Sequence, residues 1–283
     1  MRRKPPSSSL STKVHRIKFV VAYDGSDFRG WASQDGERTV HGILTSAVRQ
    51  VTGEENQLWG ASRTDAGAHA KGQVCHFDTA TTMPIEKWPR VMTKALPNDV
   101  VVLKATQVVD DFHSRFWAKH RHYQYRIMTG VRDPHRARYA YWSPGALDFD
   151  RMQAAAAHFV GTHDFLAFSS QSVPRQTNRV RTLYSVEMTQ VRDEIRLDVV
   201  GTAFVRGMMR RIAGALWEVG RGARTPESIP ELLQTKRKER IVWPTVLPAA
   251  GLTLIRVEYG RHPRPQVGPG SEAHRQKEQG QDE

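Results

Sequence analysis

The chain has 283 residues, enough for one large domain or two modest ones with a buried core. A hydrophobic content of 39% excludes a wholly disordered chain, and a single cysteine, Cys75, excludes an intrachain disulfide. Lys and Arg number 42 against 29 Asp and Glu; the net charge of +13 favours a polyanionic partner, nucleic acid first. No apolar run approaches the roughly 20 residues of a membrane helix. The opening MRRKPPSSSLSTK has no apolar stretch behind its basic residues, unlike a secretory signal, so a cytoplasmic protein is expected.

Residues 1–14, rich in Pro, Ser and basic side chains, read as a flexible arm. Ile17, Phe19, Val21 and Tyr23 alternate and predict a strand, followed by a turn-rich loop from Asp24-Gly25. Ile43, Leu44, Ala47, Val48 and Val51 recur at helical spacing, with Gly53 as the stop. Gln73–Phe77 reads as a strand with Cys75 buried in it, Pro84–Ala95 as a helix and Val100–Val109 as a β-branched strand. HRHYQYRIM (120–128) alternates as a strand, and Phe149–Phe159 follows as a helix. Leu183–Met188 and Ile195–Val199 suit a hairpin turning near Val191-Arg192-Asp193-Glu194. A long helix is predicted over Ala203–Val219, a shorter one over Pro226–Gln234, and a last strand over Leu252–Tyr259. Residues 261–283 read as a disordered tail. Strands and packed helices in both halves predict an α+β protein with two subdomains, 15–115 and 116–260, sharing one sheet.

Four stretches carry chemistry. SRTDAGAH (62–69) lies between two strands, and Gly67 suits a loop that a ligand approaches closely. Arg63 and Asp65 are two apart and face the same way if the segment is extended; a neighbouring cation suits a carboxylate that must stay charged. On spacing alone Asp65 still reads first as a turn residue with Arg63 in a surface pair. In AFVRGMMRRIAGAL (203–216), Arg206 and Arg210 are four apart and share a helix face, whereas Arg211 reads as solvated. Tyr123 and Tyr125 share one strand face, and one of them could stack on a nucleobase while the other packs in the core. His120 and His122 share the other face, but no Cys, Asp or Glu stands at ligand spacing, so no metal site is assigned. YDGSDFRGWASQ (23–34) suits a loop touching a ligand, with glycines too scattered for a phosphate-binding fingerprint.

RTDAGAHA (63–70) resembles the signature of the tRNA pseudouridine synthase TruA family. YDGSDFRGW, VHGILTSAV, GQVCHFDT, LPNDVVV, DDFHSRFWAKHRHYQYRI, HDFLAF, AFVRGMMRRIAGAL and GLTLIRVEY resemble further family segments in the same order, together spanning about 16–260. The resemblance implies the pseudouridine synthase fold: two α/β subdomains sharing a mostly antiparallel sheet flanked by helices, with the active-site cleft between them. It implies a cofactor-free isomerase that detaches uracil from ribose in tRNA, rotates it and rejoins it through ring carbon 5. The implied substrates are uridines of the anticodon stem-loop (positions 38, 39 and 40), and the implied assembly is a homodimer bridged by one tRNA. Residue by residue, the resemblance makes Asp65 the catalytic aspartate and Arg63 the arginine before it. It makes Tyr123 the tyrosine that stacks on the target base, Arg210 the partner of the aspartate and Leu252 an apolar pocket residue; Arg206 is expected to contact RNA.

The chain departs from the family pattern at Ser62, usually Gly, at Ala68, usually a larger aliphatic, and at Ala32-Ser33, usually a polar or charged pair. The other reading of the charge and aromatics is a non-catalytic RNA-binding protein on the same fold. A metal-dependent nuclease would need clustered carboxylates, and only Asp78 lies near Asp65 in sequence.

Overall fold

A computed structural model describes residues 14–174, 176–235 and 242–260. The arm expected over 1–14 (Val14 apart) and the tail expected over 261–283 lie outside the described residues. The elements in chain order are β1 (His15–Tyr23), α1 (Val40–Thr52), β2 (Trp59–Gly60), β3 (His69–Thr79), α2 (Trp88–Ala95) and β4 (Val100–Val108). Then come β5 (His120–Met128), β6 (Tyr141–Trp142), α3 (Phe149–Ala157), β7 (Gly161–Asp164), β8 (Val180–Val191) and β9 (Glu194–Gly201). The last are α4 (Met208–Gly220), α5 (Ser228–Gln234) and β10 (Leu252–Glu258).

One mixed sheet runs through the molecule in the order β4-β1-β3-β10-β5-β9-β8-β7, with β2 beside β3 and β6 beside β5. Its ladders are antiparallel except β3/β10 and β5/β6. The join between halves is β10, which pairs with β5 over most of its length and meets β3 only at Thr253↔His69 and Leu254↔Ala70. The α+β architecture expected from the alternating patterns is therefore present, and its two halves meet at a strand from the end of the body.

Local rules account for most elements. β1 buries Ile17, Phe19, Val21 and Tyr23, the alternate residues of a strand with one face on the core. Phe19, Phe77 and Trp88 pack edge to face at centroid separations of 5.1–5.5 Å, tying α2 to β1 and β3. α1 starts where the Thr39 hydroxyl accepts from the Gly42 N–H and ends at Gly53, whose φ of 74° closes the helix onto the Arg49 carbonyl. Cys75 is fully buried in β3.

Two expectations are corrected. The long helix predicted from Ala203 begins only at Met208, because Gly207 adopts φ 77° and the Arg206 carbonyl is taken by the Ser170 N–H. Arg206 therefore lies on the approach to α4 and shares no helix face with Arg210. Arg211, expected to be solvated, is 8% exposed; it donates to the Pro244 carbonyl at 2.7 Å and stacks over Trp243 at 4.9 Å.

Candidate active site

Asp65 sits on the loop between β2 and β3, and every inward residue of that loop is fastened. The buried Gln73 side chain imitates a ladder: its Oε1 accepts from the Ser62 N–H at 3.2 Å and its Nε2 donates to the Ser62 carbonyl at 2.5 Å. The Thr64 hydroxyl meets the Tyr23 hydroxyl at 2.7 Å, and the Thr64 carbonyl accepts from Trp31 N–H. Arg121, 6% exposed, donates to the carbonyls of Ala61, Arg115 and Thr202 and pins the start of the loop. With Ser62 and Thr64 turned inward, Arg63 and Asp65 take the outer side, as expected from their two-residue spacing.

The turn reading of Asp65 is correct for its backbone: the Asp65 carbonyl accepts from the Ala68 N–H at 3.0 Å, and Gly67 holds φ 79°. A side chain at Gly67 would have room, its Cβ meeting only Ala249 at 3.5 Å; the glycine is there for its backbone angle. Close approach belongs to the 24–34 loop instead. A Cβ on Gly25 would collide with the Ala68 carbonyl, and one on Gly30 would lie 2.7 Å from the Thr64 oxygen. These glycines, which the sequence suggested for ligand contact, let one loop lie backbone to backbone behind the other.

The Asp65 side chain reaches across the molecule. Its Oδ2 stands 3.3 Å from Nη1 of Arg210, a residue 145 positions later in the first turn of α4. Both side chains are partly exposed, at 20% and 25%. Arg210 is itself steered, because its Nε donates to the Leu247 carbonyl at 2.7 Å.

Tyr123 lies in the middle of β5, 6% exposed, and packs edge to face on Phe204 at 4.9 Å. Burial raises its phenol above the usual value, and the Asp65 carboxylate adds to the rise; a hydrogen bond to Ser62 and the Arg121 charge oppose it. Ser62, a departure from the family pattern, is thus a partner of the candidate stacking tyrosine. Tyr125 is fully buried and donates to the Pro248 carbonyl at 2.6 Å. Leu252, 4% exposed, faces Tyr125 in the β5/β10 ladder, one residue before the Thr253↔His69 contact. Arg63 and Arg206 are both exposed.

A polar cluster, absent from the sequence reading, buttresses the same loop. Asp24 accepts from the Ser26 N–H and hydroxyl, from Arg138 Nε at 2.5 Å and from the Tyr139 hydroxyl at 2.8 Å, while Arg138 also bonds Asp27. Burial opposes the Asp24 charge, yet these bonds hold its carboxyl well below the usual range. His69 packs against Tyr139 and accepts from the Gly25 N–H; burial lowers its pKa, which fits a neutral ring in that role. A surface groove of about 450 Å³ opens beside this cluster, lined by Phe28, Arg29, Arg38, Ala66 and Gly67 among others.

The arrangement offers a partly exposed carboxylate oriented by a guanidinium, beside a buried phenol and apolar walls. Such a carboxylate can serve as a nucleophile or a base. Among the described residues no three His, Cys, Asp or Glu side chains group to hold a metal. His122, half of the histidine pair, bonds Asp198 at 2.6 Å.

A family profile described as tRNA pseudouridine synthase matches residues 19–116 and 155–260. A protein of Brevibacillus brevis named tRNA pseudouridine synthase A is 40% identical over 247 residues, covering 87% of this chain and all of that one. Its namesakes in Anoxybacillus flavithermus and Geobacillus kaustophilus are 38% and 39% identical, covering 87% of this chain and 99% and 95% of theirs.

Proposed function

The chain belongs to the tRNA pseudouridine synthase family, an isomerase acting on uridine in tRNA, and from that premise we propose that Asp65 is its catalytic residue and that its targets lie in the anticodon stem-loop. The observation that carries the assignment is the Asp65–Arg210 pair: a charged carboxylate–guanidinium contact built from residues 145 apart, at the surface, beside a buried tyrosine. A protein that only bound RNA would have no use for a carboxylate facing phosphates.

A stem uridine is stacked and must be flipped out, at a cost of a few kcal/mol. Contacts from the +13 chain to phosphate offset part of that cost, and Arg63 and Arg206 are exposed for such contacts. Tyr123 presents a ring edge-packed on Phe204, against which the extruded uracil stacks. Leu252 supplies apolar wall. Asp65, aimed by Arg210, then acts at ring carbon 6 of the base or at the ribose, and the same carboxylate serves either route. The site lies in a cytoplasmic homodimer with one tRNA reaching both subunits.

The test is mass-spectrometric detection of pseudouridine in tRNA incubated with the protein in EDTA, with Asp65→Asn in parallel. Expected are pseudouridine from the wild type, mapped to the anticodon stem-loop, and none from Asp65→Asn at unchanged tRNA affinity. Normal turnover by Asp65→Asn would sink the assignment of Asp65.

A further inference from the structure

α4 carries on one face Arg210, Gly214 and Glu218, spaced four apart, and the segment 243–249 lies along that face in the opposite direction. Leu247 stands opposite Arg210, with hydrogen bonds both ways: Arg210 Nε to the Leu247 carbonyl at 2.7 Å and Leu247 N–H to the Arg210 carbonyl at 3.3 Å. Thr245 stands opposite Gly214, so close that a Cβ on Gly214 would fall on the Thr245 carbonyl oxygen. Thr245 is held there by Glu218, whose Oε1 accepts from the Thr245 N–H at 2.9 Å and its hydroxyl at 2.6 Å, while Oε2 takes Arg224. At the far end the buried Tyr125 hydroxyl grips the Pro248 carbonyl.

We infer that this strap is the device that aims Arg210 at Asp65, with Gly214 and Glu218 as positioning residues for the isomerisation. The inference rests on the assignment of Asp65 and Arg210 proposed above. A long side chain on the first turn of a helix sweeps a wide arc; the Leu247 carbonyl on Nε leaves Nη1 in reach of Asp65, and the position of that carbonyl depends on how close the strap sits. Only glycine at 214 admits the observed spacing. The strap also runs past the loop of Asp65, since a Cβ on Gly67 would meet Ala249 at 3.5 Å. Gly214 and Glu218 both bear on Thr245, so their effect on the reaction passes through the strap to Arg210.

Gly214→Ala, Glu218→Ala and Glu218→Gln in the full chain test this, with kcat, KM and tRNA affinity measured on a tRNA transcript and turnover normalised to tRNA-binding sites. Gly214→Ala is expected to lower kcat on the order of 10²-fold, the effect of about 1 Å of misplacement, with KM and tRNA affinity unchanged. Alanine is the better helix former, so the helix itself gains. Glu218→Ala should lower kcat in the same way and Glu218→Gln restore it, because the amide oxygen still accepts from Thr245. Combining Gly214→Ala with Arg210→Ala should cost no more than Arg210→Ala alone. Wild-type kcat in Gly214→Ala, or a loss confined to the fraction of molecules that bind tRNA, would overturn the inference. Should Gly214→Ala not fold, the Glu218 pair decides by the same criteria. Asp65→Asn run alongside separates the two readings: if it turns over, the site assignment fails; if it is inert while Gly214→Ala and Glu218→Ala are fully active, only the strap fails.

Discussion

Replacing Arg210 with alanine should injure turnover more than folding. The Asp65–Arg210 contact is 3.3 Å long, with side chains 20% and 25% exposed. At that separation Coulomb's law gives about 1.3 kcal/mol in water and about 5 kcal/mol at an effective dielectric of 20. Much of this gross attraction is lost to desolvation, and a hydrogen bond to a charged group nets about 1.5–3 kcal/mol. If that amount is withdrawn from the transition state, kcat falls about 10- to 150-fold. The fold loses less: a partly exposed ion pair contributes about 0–1 kcal/mol, and the Leu247 carbonyl loses one donor for about 1 kcal/mol more. For a body of this size that is a Tm change of roughly 2–8 °C. Arg210→Lys should be only partly active, because one ammonium lacks the fork that serves Leu247 and Asp65 together. The assay is single-turnover pseudouridine formation on a tRNA transcript, with melting followed by circular dichroism. Wild-type turnover in Arg210→Ala accompanied by a large drop in Tm would refute the reasoning, because the arginine would then be a structural residue.

Gln73→Ala leaves the Ser62 N–H and carbonyl buried without partners, at about 1–3 kcal/mol each; both Tm and turnover should drop, and an unchanged Tm would show that the loop is held by something else. Stability should also fall in acid through His76 and His113, whose rings pack 4.8 Å apart. Burial lowers their pKa values to about 3 and about 4 from 6.5. The unfolded chain therefore takes up protons first, and stability is lost as pH drops from about 6.5 towards 3, by about 1.4 kcal/mol per pH unit for each proton. Urea titrations across that range should show a shallower decline for His76→Asn than for the wild type, and parallel curves would count against it.

Signals contained within a dozen residues carried most of the fold. Helical spacing from Ile43 with Gly53 as the stop marks α1, and the alternation of 120–128 marks β5. What stayed hidden depends on partners far away in sequence. Phe204, Met208, Ile212 and Leu216 keep helical spacing, so the pattern ran the helix back to 203; in the folded chain Gly207 interrupts it and Phe204 turns away to pack on Tyr123. Arg211 looked solvated because Trp243 and Pro244, which cover it, lie more than thirty positions on. The short strands β2, β6 and β7 have too few residues for any periodicity to show. At the candidate site, resemblance singled out Asp65, Tyr123 and Arg210, but it was silent on Gln73, Arg121 and the Asp24–Arg138 cluster, which hold the loop. Asp24 and Arg138 are separated by 114 residues, and no local pattern couples them.

The placement of β10 sets a timetable. A protein is synthesised from its first residue onward, and halves that fold early normally do so on what has already emerged. Here the strand that seams β3 to β5 is residues 252–258, so neither half can be joined through the sheet until nearly the whole body exists. The segment 243–249, whose Leu247 carbonyl accepts from Arg210, is made just before it. A ribosome-bound chain lacking these residues exposes the unpaired edges of β3 and β5, which are templates for wrong strand pairing. The seam between β3 and β5 is therefore the last part of the sheet to close.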